Sequence, residues 1–188
     1  MLVGFHGYAE DAAIHLEALQ KIPGARDWLI VSVQALHPFY ARQQQVVASW
    51  MTSQHREYAI ADNVDYVGHV VAEVRRTHLT TRPIVFAGFS QGGAMAYRAA
   101  AAFDCDGVLV LAADVPPDVA TSETPLPRVL IGCGTDDPWY SDEKLERDLA
   151  TLRARDVSVD TCVFTGGHEW SEAFYDAAGQ WLARVRNA

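Results

Sequence analysis

Hydrophobic positions along this chain fall into two alternating periods. Five short runs, residues 28–33, 83–88, 107–112, 128–133 and 157–164, are apolar with few interruptions. Near-continuous rather than alternating apolarity marks strands covered on both faces. Residues 2–5 read as a sixth strand, cut short by the start of the chain. Between these runs the spacing changes to that of helices. Ile60, Val64, Val67, Val71 and Val74 step by four and three along one face of a long helix. Leu145, Leu149 and Leu152 do the same after Ser141, a residue suited to an N-cap and followed by Asp142 and Glu143, where the helix dipole favours acids. Phe174, Ala178, Trp181 and Val185 form the inner stripe of a last helix.

Strands alternating with helices through short connections predict an α/β fold: a mostly parallel sheet of about six strands with helices on both faces. Residues 115–127 are rich in proline and threonine and have no period, so they read as a surface connection too short for a helical lid. Nothing divides the chain, and its 188 residues are expected to form one domain, 1–188, long enough to bury roughly 70% of the unfolded surface. An apolar content of 49% with 21% charged residues is ordinary for a globular protein. Acidic residues outnumber basic ones by 24 to 15, a net charge of −9 with no basic run, which argues against nucleic acid or an anionic membrane as partner. Cys105, Cys133 and Cys162 are widely spaced in apolar runs and read as buried, reduced thiols. No stretch approaches the roughly 20 apolar residues that span a bilayer, and the first residues lack the pattern of a signal peptide. Membrane insertion and secretion are disfavoured, and a cytoplasmic location is expected.

The strand at 83–88 runs into Gly88-Phe89-Ser90-Gln91-Gly92, a G-x-S-x-G pentapeptide that opens a stretch of small residues, Gly92, Gly93, Ala94 and Ala96. A sharp strand-to-helix turn strains the serine backbone, admits only glycine beside it, and exposes Ser90 Oγ at the carboxyl edge of the sheet. The same pentapeptide elsewhere is often only a tight turn; strand before and helix after make Ser90 the candidate nucleophile. A serine hydroxyl needs a base. Of seven histidines only His168 follows Ser90, in a glycine-rich loop between the last strand and the last helix, at the same sheet edge. Asp136 and Asp137 follow the strand at 128–133, and Asp114 follows the strand at 107–112; all three are candidates for the acid, with Asp137 favoured. The competing role for such aspartates is an N-cap or an Asx-turn.

Four motifs spread over nearly the whole chain sharpen this. They are His6-Gly7-Tyr8, Gly88-Phe89-Ser90-Gln91-Gly92-Gly93, Gly134-Thr135-Asp136-Asp137-Pro138 and Gly167-His168-Glu169-Trp170. Together they resemble the α/β-hydrolase superfamily, in particular the phospholipase/carboxylesterase branch that includes acyl-protein thioesterases. The resemblance implies a Ser90–His168–Asp137 triad, because the family's acid directly precedes the proline of the third motif. It also implies an oxyanion hole made by the backbone N–H groups of Tyr8 and Gln91, with His6 bracing the oxyanion loop rather than acting in catalysis. No metal or cofactor enters such chemistry. The expected substrate is a small-molecule ester or thioester.

For a substrate pocket the aromatic residues Phe39, Tyr40, Trp50, Trp139 and Trp170 are candidates, since ligand sites are mostly apolar. The competing role is packing loops onto the sheet. Arg42 is a candidate contact for a negative substrate group, against the ordinary fate of arginine as a solvated charge. With no lid foreseen, the site should be open and suited to small soluble esters. Two other classes stay open: a catalytically inactive hydrolase fold used for binding, and an acyltransferase or peptidase with the same triad. A homodimer is compatible with the sequence but not required by it.

Overall fold

The computed structural model describes residues 1–78 and 83–187. Six strands form one wholly parallel sheet: β1 (Leu2–Phe5), β2 (Ile30–Val33), β5 (Val85–Phe89), β6 (Gly107–Leu111), β7 (Val129–Gly134) and β8 (Val159–Phe164), in the order β2-β1-β5-β6-β7-β8. A separate antiparallel pair, β3 (His37–Tyr40) and β4 (Val46–Ser49), stands apart from that sheet. The helices are α1 (Ala12–Gln20), α2 (Arg56–His78), α3 (Gln91–Ala102), α4 (Pro117–Ala120), α5 (Asp142–Arg153) and α6 (Glu172–Arg186).

Burial explains the apolar runs. Every residue of β1, β5, β6 and β7 is buried, which requires cover on both faces of the sheet. β8 is an edge strand, with only Phe164 buried. Leu145, Leu149 and Leu152 of α5 and Phe174, Ala178, Trp181 and Val185 of α6 all lie in the core, while on α2 Val67 and Val71 are buried and Ile60, Val64 and Val74 pack against it half-covered. Fully burying a Leu or Phe side chain contributes about 1.5–3 kcal/mol, so these stripes are what holds the helices to the sheet.

Four details differ from the sequence reading. The hairpin β3–β4 lies within residues 37–58, outside the runs from which strands were predicted. β3 is mostly exposed and carries no apolar run, while β4 is only four residues long with three of them buried. Residues 115–127 contain the single-turn helix α4, whose start fits Pro116 and Pro117: proline's fixed φ suits the first helical position. Ser141 takes the N-cap position of α5 but its hydroxyl makes no capping bond. Of the three free cysteines only Cys133 is buried; Cys105 and Cys162 are half-buried. Burial raises the Cys133 thiol to about 11, which keeps it protonated and unreactive.

Candidate active site

A parallel sheet brings the carboxyl ends of its strands to one edge, and the residues in question stand along that edge. Ser90 lies between β5 and α3 with φ 53° and ψ −123°, a left-handed backbone that a serine adopts only under constraint. Its N–H donates to the Leu111 carbonyl at 2.9 Å, tying the turn to β6. The flanking glycines are needed for space. Neither has a positive φ. A Cβ on Gly88 would strike the Gly92 carbonyl, and one on Gly92 would strike the Phe5 carbonyl at the end of β1. Close approach, not backbone freedom, fixes glycine there, and it sets the start of α3 against the loop after β1.

The acid and the base meet. Asp137 Oδ2 lies 2.8 Å from His168 Nδ1, and the Asp137 side chain is fully buried. Its other oxygen accepts the N–H groups of Trp139 at 2.8 Å and Tyr140 at 2.9 Å. One carboxylate therefore caps its own loop and faces the imidazole, so the turn role and the orienting role coincide. A carboxylate on Nδ1 keeps the proton there and leaves Nε2 as the basic nitrogen. The His168 ring sits between Phe89 and Trp139, each with its ring centre 5.0 Å away. Asp136 is exposed and Asp114 faces Lys144 and Arg147 instead, so neither reaches the histidine. Ser90 and His168 line one cavity of about 310 Å³. No hydrogen bond joins them among the described residues, and in catalytic sites this bond often tightens only with substrate in place.

The loop after β1 is braced as foreseen for His6. Its Nδ1–H donates to the Gly7 carbonyl at 2.7 Å and its Nε2 accepts the Ala35 N–H at 3.1 Å; a single neutral tautomer satisfies both. Burial pushes the His6 pKa down, which preserves that tautomer. Glu10 accepts the Gly7 N–H at 2.7 Å, and burial raises its pKa against that bond. The backbone of Ala9 and Glu10 is bonded to Ala48 of β4, so the hairpin holds the loop from outside. Among the described residues no backbone hydrogen bond outside the helices and strands uses the Tyr8 or the Gln91 amide.

The pocket aromatics are distributed differently from expectation. Of the five, only Trp139 lines the cavity with Ser90 and His168. Trp50 is completely buried beneath the site, its indole N–H donating to the His6 carbonyl at 2.8 Å and its ring packed on Phe5 and His6. Trp170 stacks on Tyr175 and touches Phe89 and Phe174. Phe39 stacks on Tyr8, and Tyr40 is solvent-exposed. Arg42 lies in a 3₁₀ turn of the hairpin, away from the cavity lining.

Several functional positions escaped the sequence. The Gln91 side chain accepts the Trp50 N–H at 2.8 Å and donates to the Met51 carbonyl at 2.9 Å, clamping the end of β4 to the serine turn. Asn63 donates to the Trp50 carbonyl at 2.8 Å from the far side. Arg98, Lys144 and Arg56 line the cavity, and the first of these was legible: 91, 94 and 98 share a face of α3, and Gln91, Ala94 and Arg98 all line it. Asp148 is buried and joins the loops on either side. It accepts from the Val115 N–H at 3.0 Å and the Tyr140 hydroxyl at 3.1 Å, and burial raises its pKa. No group of three or more potential metal ligands gathers among the described residues, and no helix there is long and apolar enough to cross a membrane.

Known structures share this fold along nearly the whole chain. SOBER1 of Arabidopsis thaliana superposes with a TM-score of 0.80 at 19% identity, covering 98% of both chains. The Bacillus cereus carboxylesterase gives 0.78 at 17% identity, over 98% of this chain and 88% of that one. A phospholipase/carboxylesterase from Dyadobacter fermentans gives 0.73 at 21%, over 97% and 88%. Comparison of the sequence with protein-family models and with curated proteins finds no match.

Proposed function

We propose that this protein is a serine hydrolase that cleaves carboxylic esters of small acyl or aryl groups, and thioesters by the same route, through an acyl-serine. The observation that carries the reading is the 2.8 Å contact between Asp137 and His168 Nδ1, with His168 and the strained Ser90 opening into one cavity. The carboxylesterase structures that share the fold support the same reaction class.

In the first step His168 Nε2 takes the Ser90 proton as Oγ attacks the carbonyl carbon. Asp137 holds the ring in the right tautomer and stabilises the imidazolium that forms. The Tyr8 and Gln91 N–H groups receive the negative oxygen, a contribution of about 3–4 kcal/mol per donor in comparable sites. His168 then returns the proton to the departing alcohol or thiol, leaving Ser90 acylated. Water, deprotonated by His168, attacks the acyl-serine and releases the acid.

A cavity of about 310 Å³ is at the small end for ligand sites, which favours short acyl groups over long chains. The test is release of nitrophenolate from 4-nitrophenyl acetate by the wild-type protein and by Ser90→Ala. The variant should fold normally and lose at least about 10⁴-fold of turnover. Equal rates in the two pure proteins would remove Ser90 from the reaction.

A further inference from the structure

We propose that the cavity beside Ser90 is a carboxylate subsite, so that the ester this protein cleaves carries a carboxylate of its own. The inference rests on the hydrolase reading for the reaction and on the charges of the cavity wall for the substrate.

The chain as a whole is acidic, with a net charge of −9, yet three cations from three different helices converge on this one cavity. They are Arg56 at the start of α2, Arg98 near the end of α3 and Lys144 in the first turn of α5. The single carboxylate among the lining residues, Asp114, is already occupied: Lys144 Nζ lies 3.2 Å from one oxygen and Arg147 Nη2 2.5 Å from the other.

The donors are also partly unspent. Arg98 is 7% exposed and is fixed by a two-point contact with Asp118, through Nε and Nη2 at 2.8 Å each. Among the described residues its Nη1 meets only the Met51 sulfur, at 3.5 Å, which is a weak acceptor. A buried guanidinium normally fills its donors with oxygen. Lys144 gives two of its three protons to the Trp139 carbonyl and Asp114. Arg56 is exposed and makes no close ion pair among the described residues, although its charge helps lower the pKa of Asp118. Because Asp118 and Asp114 neutralise much of this charge, the surplus suits a monoanion such as a carboxylate better than a doubly charged phosphate.

A half-ester of a short dicarboxylic acid fits these demands. Its hydrolysis takes up one water, breaks the acyl C–O bond, and yields the alcohol, the dicarboxylate and one proton. The free carboxylate would meet the cationic wall while the ester carbonyl meets Ser90.

The test compares mono-4-nitrophenyl glutarate with its methyl ester, 4-nitrophenyl methyl glutarate, which has the same leaving group and acyl chain without the charge. At low salt the anionic ester should have a kcat/KM about tenfold higher, the worth of one charge-assisted hydrogen bond. That ratio should fall as sodium chloride screens the cavity, and it should fall about threefold or more, through KM, in Arg56→Gln and in Lys144→Gln. In parallel, glutarate itself should bind the Ser90→Ala protein, read by tryptophan fluorescence, and bind more weakly in the triple variant with both glutamines. A ratio near one that neither salt nor the substitutions move overturns the subsite while leaving the hydrolase reading intact. If neither ester releases nitrophenolate, the hydrolase reading fails, and glutarate binding decides the subsite separately: binding that depends on Arg56 and Lys144 supports it, and no such binding overturns it.

Discussion

The loops after β6 and β7 leave the same edge of the sheet, one strand apart, and each presents an aspartate. Asp137, after β7, is fully buried, holds two backbone N–H groups and faces His168. Asp114, after β6, is 40% exposed at its side chain and is held between Lys144 and Arg147. Position along the sheet edge therefore does not distinguish the two. Burial removes water as a competing partner and backbone donors fix the carboxylate plane, so that Asp137 can impose an orientation on an imidazole. Asp114, wet and doubly paired, tunes the charge of the cavity wall instead.

Neutralising the two acids should separate the roles. Asp137→Asn keeps the shape of the loop but offers His168 an amide that can hold the wrong tautomer, and kcat should fall by about 10³–10⁴. Steady-state kinetics with intact near-ultraviolet circular dichroism would check it; a loss below tenfold would return Asp137 to a purely structural part. Asp114→Asn should change kcat on neutral esters by less than about tenfold, since exposed ion pairs contribute little. It should raise the preference for the anionic ester by freeing Lys144 and Arg147. A fall in that preference would reverse the part given to Asp114.

A smaller effect concerns the floor of the same edge. His15 on α1 is buried against Gly4 and Trp170, and among the described residues neither ring nitrogen has a hydrogen-bond partner. Burial lowers its pKa from 6.5 to about 3, with the nearby His6 adding to the shift. The unfolded chain binds a proton at this residue from about pH 6.5 downward while the folded one does not. Stability is therefore lost as pH falls through that window, by up to about 1.4 kcal/mol per pH unit from this group. His15→Leu should flatten the slope between pH 6 and 4 in urea titrations. An unchanged slope would mean that His15 protonates in the folded state.

The sheet was legible, and Ser90, Asp137 and His168 could be singled out as candidates, because each rests on a local signal. Covered strands must be apolar throughout, the serine turn demands glycine at 88 and 92, and one histidine alone follows the serine. The resemblance only strengthened the preference for Asp137 over Asp136, since both flank the same turn and differ in which way the chain folds back. What escaped depends on contacts between distant segments. β3 is exposed on most of its residues and is defined by pairing with β4, which in turn is held by the backbone of Ala9 and Glu10. Trp50 looked like a pocket aromatic until Gln91 and Asn63, 41 and 13 residues away, were seen to hold it down. The expectation of an apolar pocket failed for a related reason: Arg56, Arg98 and Lys144 are unremarkable singly and meaningful only together. The absence of a lid helix between β6 and β7 did follow from length, and α4 is a single turn in the wall.

The most direct measurement is the mass of the intact protein after reaction with a fluorophosphonate, followed by peptide mapping, with Ser90→Ala as control. One adduct per chain, carried by Ser90 and absent from the variant, is the expected result. An unlabelled wild-type protein, or an adduct on another residue, would contradict an activated serine at this edge of the sheet.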